Sequence, residues 1–287
     1  MKLRHLKQVN FIIRRYSQNA RSSELVVKHL KEDYDGVTLL GLNRPVQKNA
    51  MSKTLLSSLT EAVNKLYYEN QTRVLILHSL TPGVFCAGAD LKERAEMDAK
   101  DVPAFVSRFR QLVNSIYNIP VPTIVALDGA ALGGGLEMAL GCDIRVAAKN
   151  AKMGLVETKL AIIPGAGGTQ LLPRIISRSL AKEMIFTARV LDGSRAEKIG
   201  LVNYAVEQNE EGDAAFKKAL NIAEEILPNG PIGIRMAKKA INKGVEADFN
   251  TGLAIEEACY AQLVPTKDRT EGLAAFREKR KPNYKGH

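Results

Sequence analysis

The sequence predicts an α/β protein of repeated β-β-α units with a helical tail, and three features of the 287-residue chain carry that prediction. Short apolar runs of strand length alternate with stretches of helical period between residues 25 and 206, the order that buries a largely parallel sheet beneath helices. Three consecutive glycines, Gly133-Gly134-Gly135, join one such apolar run to a helical one. From about residue 211 to 280 the period is helical, broken at Pro228, Pro231 and Pro265. No low-complexity linker divides residues 24–287, so a boundary near 227 separates a 24–227 core from a 228–287 helical region only softly.

Residues 1–23 stand apart. They hold Lys2, Arg4, Lys7, Arg14, Arg15 and Arg21 and no acid, which is six of the ten net positive charges and leaves about four for the rest. Wound as a helix, they place Arg4, Lys7, Arg14 and Arg15 on one side and Leu3, Leu6, Val9, Ile12 and Ile13 on another. A basic, acid-free amphipathic leader of this kind predicts mitochondrial import to the matrix. Arg14, three residues before Ser17, predicts processing near that serine.

After the leader, apolar runs at 25–30 and 37–43 flank Lys31-Glu32-Asp33-Tyr34-Asp35-Gly36 and predict a β-hairpin. Ser52 is placed to cap a helix reaching about Tyr68, with Leu55, Leu56, Leu59, Val63 and Leu66 on one face. A buried strand follows at 73–79, then a helix at 101–117 with Pro103 in its first turn, where proline is tolerated. Residues 122–128 form the next strand, and a helix starts after Gly135. A strand at 143–148, helical stretches from 169 to 187 and a strand at 201–206 complete the alternation.

Composition excludes several classes. With 45% hydrophobic and 25% charged residues this is an ordinary globular chain, and no apolar run approaches the roughly 18 residues of a membrane span. Cys86, Cys142 and Cys259 are far apart, odd in number and without C-x-x-C spacing, which predicts reduced core residues. His5, His29, His78 and His287 sit beside no nucleophile and at no metal-ligand spacing, so neither a triad nor a metal site is expected. Pro164-Gly165-Ala166-Gly167-Gly168-Thr169-Gln170 has Gln170 where a dinucleotide fingerprint needs its third glycine, and it lacks the Lys-Ser/Thr of a P-loop. It is expected to be a structural turn that opens a helix. On the 52–68 helix the row Lys53, Ser57, Glu61, Lys65 mixes charge, the pattern of a solvated face rather than a phosphate stripe.

The chemistry concentrates at the glycine triplet. Glycine admits positive φ and close approach to bare backbone N–H groups, and a helix beginning there aims unpaired amides and its positive dipole end at one spot. Glu137 follows within a turn, and Glu157 lies 20 residues further on in the apolar run Met153-Gly154-Leu155-Val156-Glu157. Two carboxylates in such surroundings predict acid/base work. Phe85-Cys86-Ala87-Gly88-Ala89-Asp90-Leu91-Lys92 is a second loop able to present N–H groups, and an oxyanion hole needs two donors.

Together, Phe85 to Asp90, Gly133 to Glu137, Cys142-Asp143-Ile144-Arg145, Glu157 and Pro164 to Gln170 resemble the crotonase (enoyl-CoA hydratase/isomerase) family in order and spacing from about residue 25 to 284. The resemblance implies a spiral of ββα turns with a C-terminal helical oligomerisation region, assembled as a homotrimer or homohexamer. It implies Ala89 and Gly134 as oxyanion-hole amides and Glu137 and Glu157 as the acid/base pair. It places Ala87, Ala89 and Lys92 beside the CoA adenine, with Phe276 and Lys279 reaching CoA from a neighbouring subunit. Water would add to a 2-enoyl-CoA without a metal or redox cofactor, CoA being part of the substrate. The more particular runs Lys152 to Leu160, Ala188 to Gly193 and Ile255 to Gln262 imply 3-methylglutaconyl-CoA, an intermediate of leucine breakdown, as substrate. General short-chain enoyl-CoA hydration or isomerisation is the alternative, and binding of AU-rich RNA is an additional activity open to test. A substrate with a second carboxylate needs a cation in its pocket. Arg94, just beyond the oxyanion loop, is the candidate, unless it pairs at the surface with Glu96 or Asp98.

Overall fold

A computed structural model of the protein describes residues 23–287, so the leader expected at residues 1–23 lies outside the described residues except for Ser23. Strands β1 (Leu25–His29) and β2 (Val37–Leu42) form the expected antiparallel hairpin. Helix α1 (Lys53–Tyr68) follows, with the Ser52 hydroxyl accepting from the Leu55 amide and the five predicted apolar residues buried.

The chain then repeats one operation three times: a strand in a large sheet, a short strand in a small one, then helix. The strand pairs are β3 (Val74–Ser79) with β4 (Val84–Cys86), β5 (Thr123–Leu127) with β6 (Ala130–Leu132), and β7 (Ile144–Ala148) with β8 (Lys152–Gly154). Helices α2 (Leu91–Ala95) and α3 (Val102–Asn118) follow β4, and α4 (Gly134–Leu140) follows β6. After β8 come a 3-10 turn at Glu157–Leu160 and helices α5 (Gly168–Ile175) and α6 (Arg178–Phe186). The large sheet has order β1-β2-β3-β5-β7-β10 and is parallel beyond β2; the small one has order β4-β6-β8-β9. This is the ββα spiral that the resemblance implied. The last elements are β9 (Leu191–Asp192), α7 (Gly193–Lys198), β10 (Tyr204–Val206), α8 (Ala214–Ile226), α9 (Pro231–Gly244), α10 (Phe249–Ala261) and α11 (Lys267–Glu278).

Strands of the large sheet read as continuous apolar runs because both faces are covered. In β3, Leu75 and Leu77 join the core that includes α1, α3 and α4, whereas Val74 and Ile76 join a second core under α8, with Phe216, Ala219 and Leu220. The three cysteines are free and buried, as expected. Among the described residues no helix is long and apolar enough to cross a membrane.

The sequence expectations differ from the structure in three places. The small sheet was not visible, because strands of two or three residues are too short to show a period; Val84–Cys86, part of an expected loop, is strand. The strand expected at 201–206 narrows to Tyr204–Val206, just after Asn203, whose amide donates to the Arg145 carbonyl and whose side-chain oxygen accepts from the Arg145 amide. The helical tail also breaks without a proline, where the Asp248 carboxylate caps α10 by accepting from the Asn250 and Thr251 amides.

Candidate active site

The two glycine loops meet. Pairing of β4 with β6 places Cys86 beside Ala131, so the segments that leave these strands turn against each other. Gly88 has φ +98°, and a Cβ there would stand 3.0 Å from the Leu132 carbonyl oxygen and 3.7 Å from the Gly134 nitrogen. Gly133 has φ +51° and donates its N–H to the Gly154 carbonyl at 2.8 Å. A Cβ on Gly135 would fall 2.4 Å from the Cys86 carbonyl oxygen. Only bare backbone fits this closely.

The residues whose amides are expected to hold an oxyanion, Ala89 and Gly134, lie beside this junction. A parallel bridge joins Met51 to Ala89: Met51 donates to the Gly88 carbonyl at 2.7 Å, and Asp90 donates to the Met51 carbonyl at 3.2 Å. In an extended segment, neighbouring N–H groups alternate in direction, so the Ala89 N–H points away from Met51. Gly134 is the first residue of α4, where amides have no intrahelical acceptor. An ion-paired bracket fixes the first loop. Arg44 bonds Asp90 at 2.6 Å, Glu24 at 2.8 Å and the Ala50 carbonyl at 2.9 Å, while Asp90 caps α2 through the Lys92 and Glu93 amides. Arg44 holds the Asp90 carboxyl below its ordinary range.

Every residue of α4 is buried, Glu137 included at 3% exposure. A buried carboxylate needs partners, and Glu137 Oε1 accepts from the Ala166 amide at 2.8 Å and the Gly168 amide at 2.7 Å. Glu157 opens the 3-10 turn; its Oε1 lies 3.1 Å from where a Cβ on Gly133 would stand. Its Oε2 is buried with no hydrogen-bond partner in the protein. Burial pushes Glu137 up to about 7, helped by the neighbouring Glu157 charge and opposed by the two amides. Burial also raises Glu157. The arrangement can therefore keep one proton on two carboxyls at neutral pH, beside two amides able to receive negative charge.

The remaining candidates divide. Ala87, Ala89, Lys92 and Arg94 share the 87–94 segment, with Ala87 and Lys92 exposed. Arg94 pairs with neither Glu96 nor Asp98. Its guanidinium lies 5.4 Å from the Phe105 ring centroid, and burial lowers its pKa. Phe276 and Lys279 lie at the end of α11, Phe276 at 87% exposure. The hydrogen bonds of α11 run to the chain's own tail, through Asp268 to the Lys285 and Gly286 amides and through Glu271 to Arg280 and Asn283. Within one chain, no described hydrogen bond or ion pair brings these two residues to the 87–94 segment. The Pro164 to Gln170 stretch does open helix α5, as expected, and it also supplies both amides on Glu137. That second role was missed; the clue available was a run dense in backbone N–H groups facing an acid in need of donors. Among the described residues no cluster of metal-ligating side chains occurs. A cleft of about 1310 Å³ between α5, α6 and α9 is lined by neither glutamate.

The sequence pattern of the Enoyl-CoA hydratase/isomerase family matches residues 32–287. The chain is 61% identical to the mitochondrial methylglutaconyl-CoA hydratase of Homo sapiens over 95% of its own length and 81% of that protein's. It is 54% identical to the mitochondrial enoyl-CoA hydratase domain-containing protein 2 of Homo sapiens, over 93% of this chain and 91% of that one. Among solved structures, an enoyl-CoA hydratase from Bacillus anthracis superposes with a TM-score of 0.88 at 45% identity, covering 92% of this chain and all of that one.

Proposed function

This chain belongs to the enoyl-CoA hydratase/isomerase family, and from that premise we propose that Glu137 and Glu157 add water to a 2-enoyl-CoA whose thioester oxygen is held by the Ala89 and Gly134 amides. The enzyme is a mitochondrial hydro-lyase of the enoyl-CoA hydratase type. The observation that carries the site assignment is the contrast in hydrogen bonding between buried Glu137 and half-buried Glu157. Glu137 Oε1 has two amide donors, which favour its anion, whereas Glu157 Oε2 has none and the Glu157 carboxyl is helped as an anion only by its own backbone amide. A buried oxygen without a donor is better protonated than charged. Glu137 is then the base and Glu157 the acid.

In the proposed step a water lies between the two carboxyls. Glu137 takes one of its protons as the oxygen bonds to the β-carbon, and the π electrons move through the α-carbon onto the thioester oxygen. Two N–H groups and the start of α4 stabilise that enolate, and one such donor is worth about 3 kcal/mol. Glu157 gives its proton to the α-carbon on the same face, and the carbonyl re-forms. The product is a 3-hydroxyacyl-CoA, and the proton taken by Glu137 replaces the one Glu157 gave.

For substrate we propose 3-methylglutaconyl-CoA, yielding 3-hydroxy-3-methylglutaryl-CoA in leucine breakdown, as the name of the 61%-identical relative suggests. Arg94, free of carboxylate partners among the described residues and packed on Phe105, would receive the distal carboxylate. Ala87 and Lys92 would border the CoA nucleotide, with Phe276 and Lys279 arriving from a second copy in a trimer or hexamer. Lys53 and Lys65 flank Glu61 on the exposed face of α1, which supports at most salt-sensitive contact with AU-rich RNA; gel shifts at two salt concentrations measure it. Side-by-side assay of 3-methylglutaconyl-CoA and crotonyl-CoA tests the assignment. Arg94→Met is expected to raise KM for the first far more than for the second, by roughly 1.5 to 3 kcal/mol for a lost charge-assisted bond. Equal effects would remove Arg94 from specificity, and a wild-type preference for crotonyl-CoA would overturn the substrate.

A further inference from the structure

Helix α3 touches both halves of the site. Phe109 packs on the oxyanion side, where a Cβ on Gly134 would come within 2.5 Å of its Cε1. Val106 packs on the other side, its Cγ1 lying 2.7 Å from where a Cβ on Gly165 would stand. One turn along from Val106, Arg110 donates its Nε–H to the Gly165 carbonyl at 2.9 Å. That carbonyl belongs to the same peptide unit as the Ala166 N–H, which donates to Glu137. The unit is planar and trans, so its C=O and N–H point in opposite directions. Arg110 on one side and Glu137 on the other therefore grip a single rigid plane. Polarising the carbonyl also strengthens the amide as a donor.

We propose that Arg110 is a positioning residue for the hydration: by holding the Gly165 carbonyl it aims the Ala166 amide at Glu137 Oε1 and keeps that carboxyl available as the base. Its own charge adds to this in the same direction. The charged groups acting on Glu137 are Glu157, which raises its pKa, and Arg110, which lowers it. Arg110 is exposed, so water and salt screen the direct charge effect, and the route through the peptide plane is the stronger of the two. The kinetic test of this inference rests on the hydratase assignment; the titration test does not.

The experiment compares Arg110→Met, Arg110→Lys and a control, Arg108→Met, which alters an exposed arginine on the same helix. With the wild type, the pH profile of kcat/KM is measured alongside the carboxyl titration of Glu137 by ¹³C-glutamate NMR without substrate. Loss of the Glu137→Gln resonance identifies the signal. Arg110→Met is expected to lower kcat roughly 5- to 20-fold with KM within about twofold, within the range for a weakened general base. It should also move the Glu137 titration and the rising limb of the profile upward by about half a unit or more. Arg110→Lys, which keeps a donor and a charge, should recover most of both, and Arg108→Met should change neither. Loss of activity with an unmoved Glu137 titration would reduce Arg110 to a structural residue and overturn the proposal, as would wild-type kcat in Arg110→Met. Should Arg110→Met not fold, Arg110→Lys takes its place: a small upward shift supports the proposal, and a shifted rate without a shifted titration refutes it. A wild type inactive on enoyl-CoA esters would sink the hydratase assignment alone, because the titration would still report on Arg110.

Discussion

Helices α4 and α10 are both built largely from small and apolar residues, yet they end in opposite environments. All seven residues of α4 are buried, wedged between β4, β6 and α5. Of the 13 residues of α10 only Cys259 is buried; Phe249 is 79% exposed, and Leu253 and Tyr260 are exposed as well. Helix α9, its packing partner, has no buried residue. Large apolar side chains exposed in this way suit an interface, in keeping with the oligomeric assembly of this fold. The difference separates two tasks. The proposed acid pair and oxyanion amides come from one chain, whereas the last three helices present surface that a second copy would cover.

The largest effect expected breaks the first half of this comparison. Glu137→Gln and Glu157→Gln keep the shape of each side chain and cannot exchange its proton, so each should lower kcat by about 10²- to 10⁴-fold while acyl-CoA still binds. Assembly, measured by light scattering, should not change. Near wild-type kcat in either variant would refute the paired-acid mechanism. In the wild type the pair should act with one proton between its members, giving a bell-shaped pH profile whose rising limb reflects Glu137 near 7.

The same burial predicts a stability signature. Glu137 is raised from an ordinary carboxyl value near 4.5 to about 7, so between these pH values the folded chain holds a proton that the unfolded chain releases. Its contribution therefore favours folding at low pH and is lost as pH rises through that window. Glu137→Gln has no such dependence. Denaturant unfolding at fixed protein concentration should show the variant gaining on the wild type by about 2 to 3 kcal/mol between pH 4.5 and 8. A constant difference would mean that the carboxyl is not held in the desolvated state described here.

The second half of the comparison is tested at α10. Phe249→Ser with Leu253→Ser removes apolar surface without touching any residue near Glu137. Burying two such side chains is worth about 3 to 6 kcal/mol per copy, so a shift toward smaller species at micromolar concentration is expected. Glu137 should titrate as before. An unchanged assembly would exclude this face from the interface.

How much of this was legible in the sequence follows the length scale of each signal. Helix α1 could be read to its cap and its five buried residues, because 16 residues give several turns of period and Ser52 marks the start. The parallel strands could be read as apolar runs. The glycine triplet with Glu137 and Glu157 pointed to the candidate site, since a carboxylate among apolar residues is itself a signal. The Arg44 and Asp90 bracket, 46 residues apart in sequence, could not be read, nor could the grip of Arg110 on Gly165, 55 apart. Each joins common residue types through a single contact, and no local pattern encodes such a contact. The small sheet failed for the opposite reason: its strands are too short to carry a pattern, although their pairing sets the approach of Gly88 to Gly134.

The smallest effect expected would sharpen where the two regions meet. Phe276 and Lys279 are exposed at the end of α11, and Lys279 adopts the left-handed conformation at φ +54°, which turns the chain sharply out of the helix. If a second copy brings them to the nucleotide end of CoA, they contribute binding that does not change between ground state and transition state. Such uniform binding alters KM and leaves kcat alone. Phe276→Ala and Lys279→Met should then each raise KM for the CoA ester about three- to tenfold, the range for an exposed stacking contact or a partly screened phosphate contact. An N-acetylcysteamine thioester, which carries no nucleotide, separates this from a general loss of packing. Its kcat/KM should be the same in both variants and the wild type. Equal losses on both esters would mean that the two residues serve the interface and not the ligand, and the Phe249→Ser, Leu253→Ser variant should by the same logic lose the CoA ester's advantage only to the extent that it dissociates.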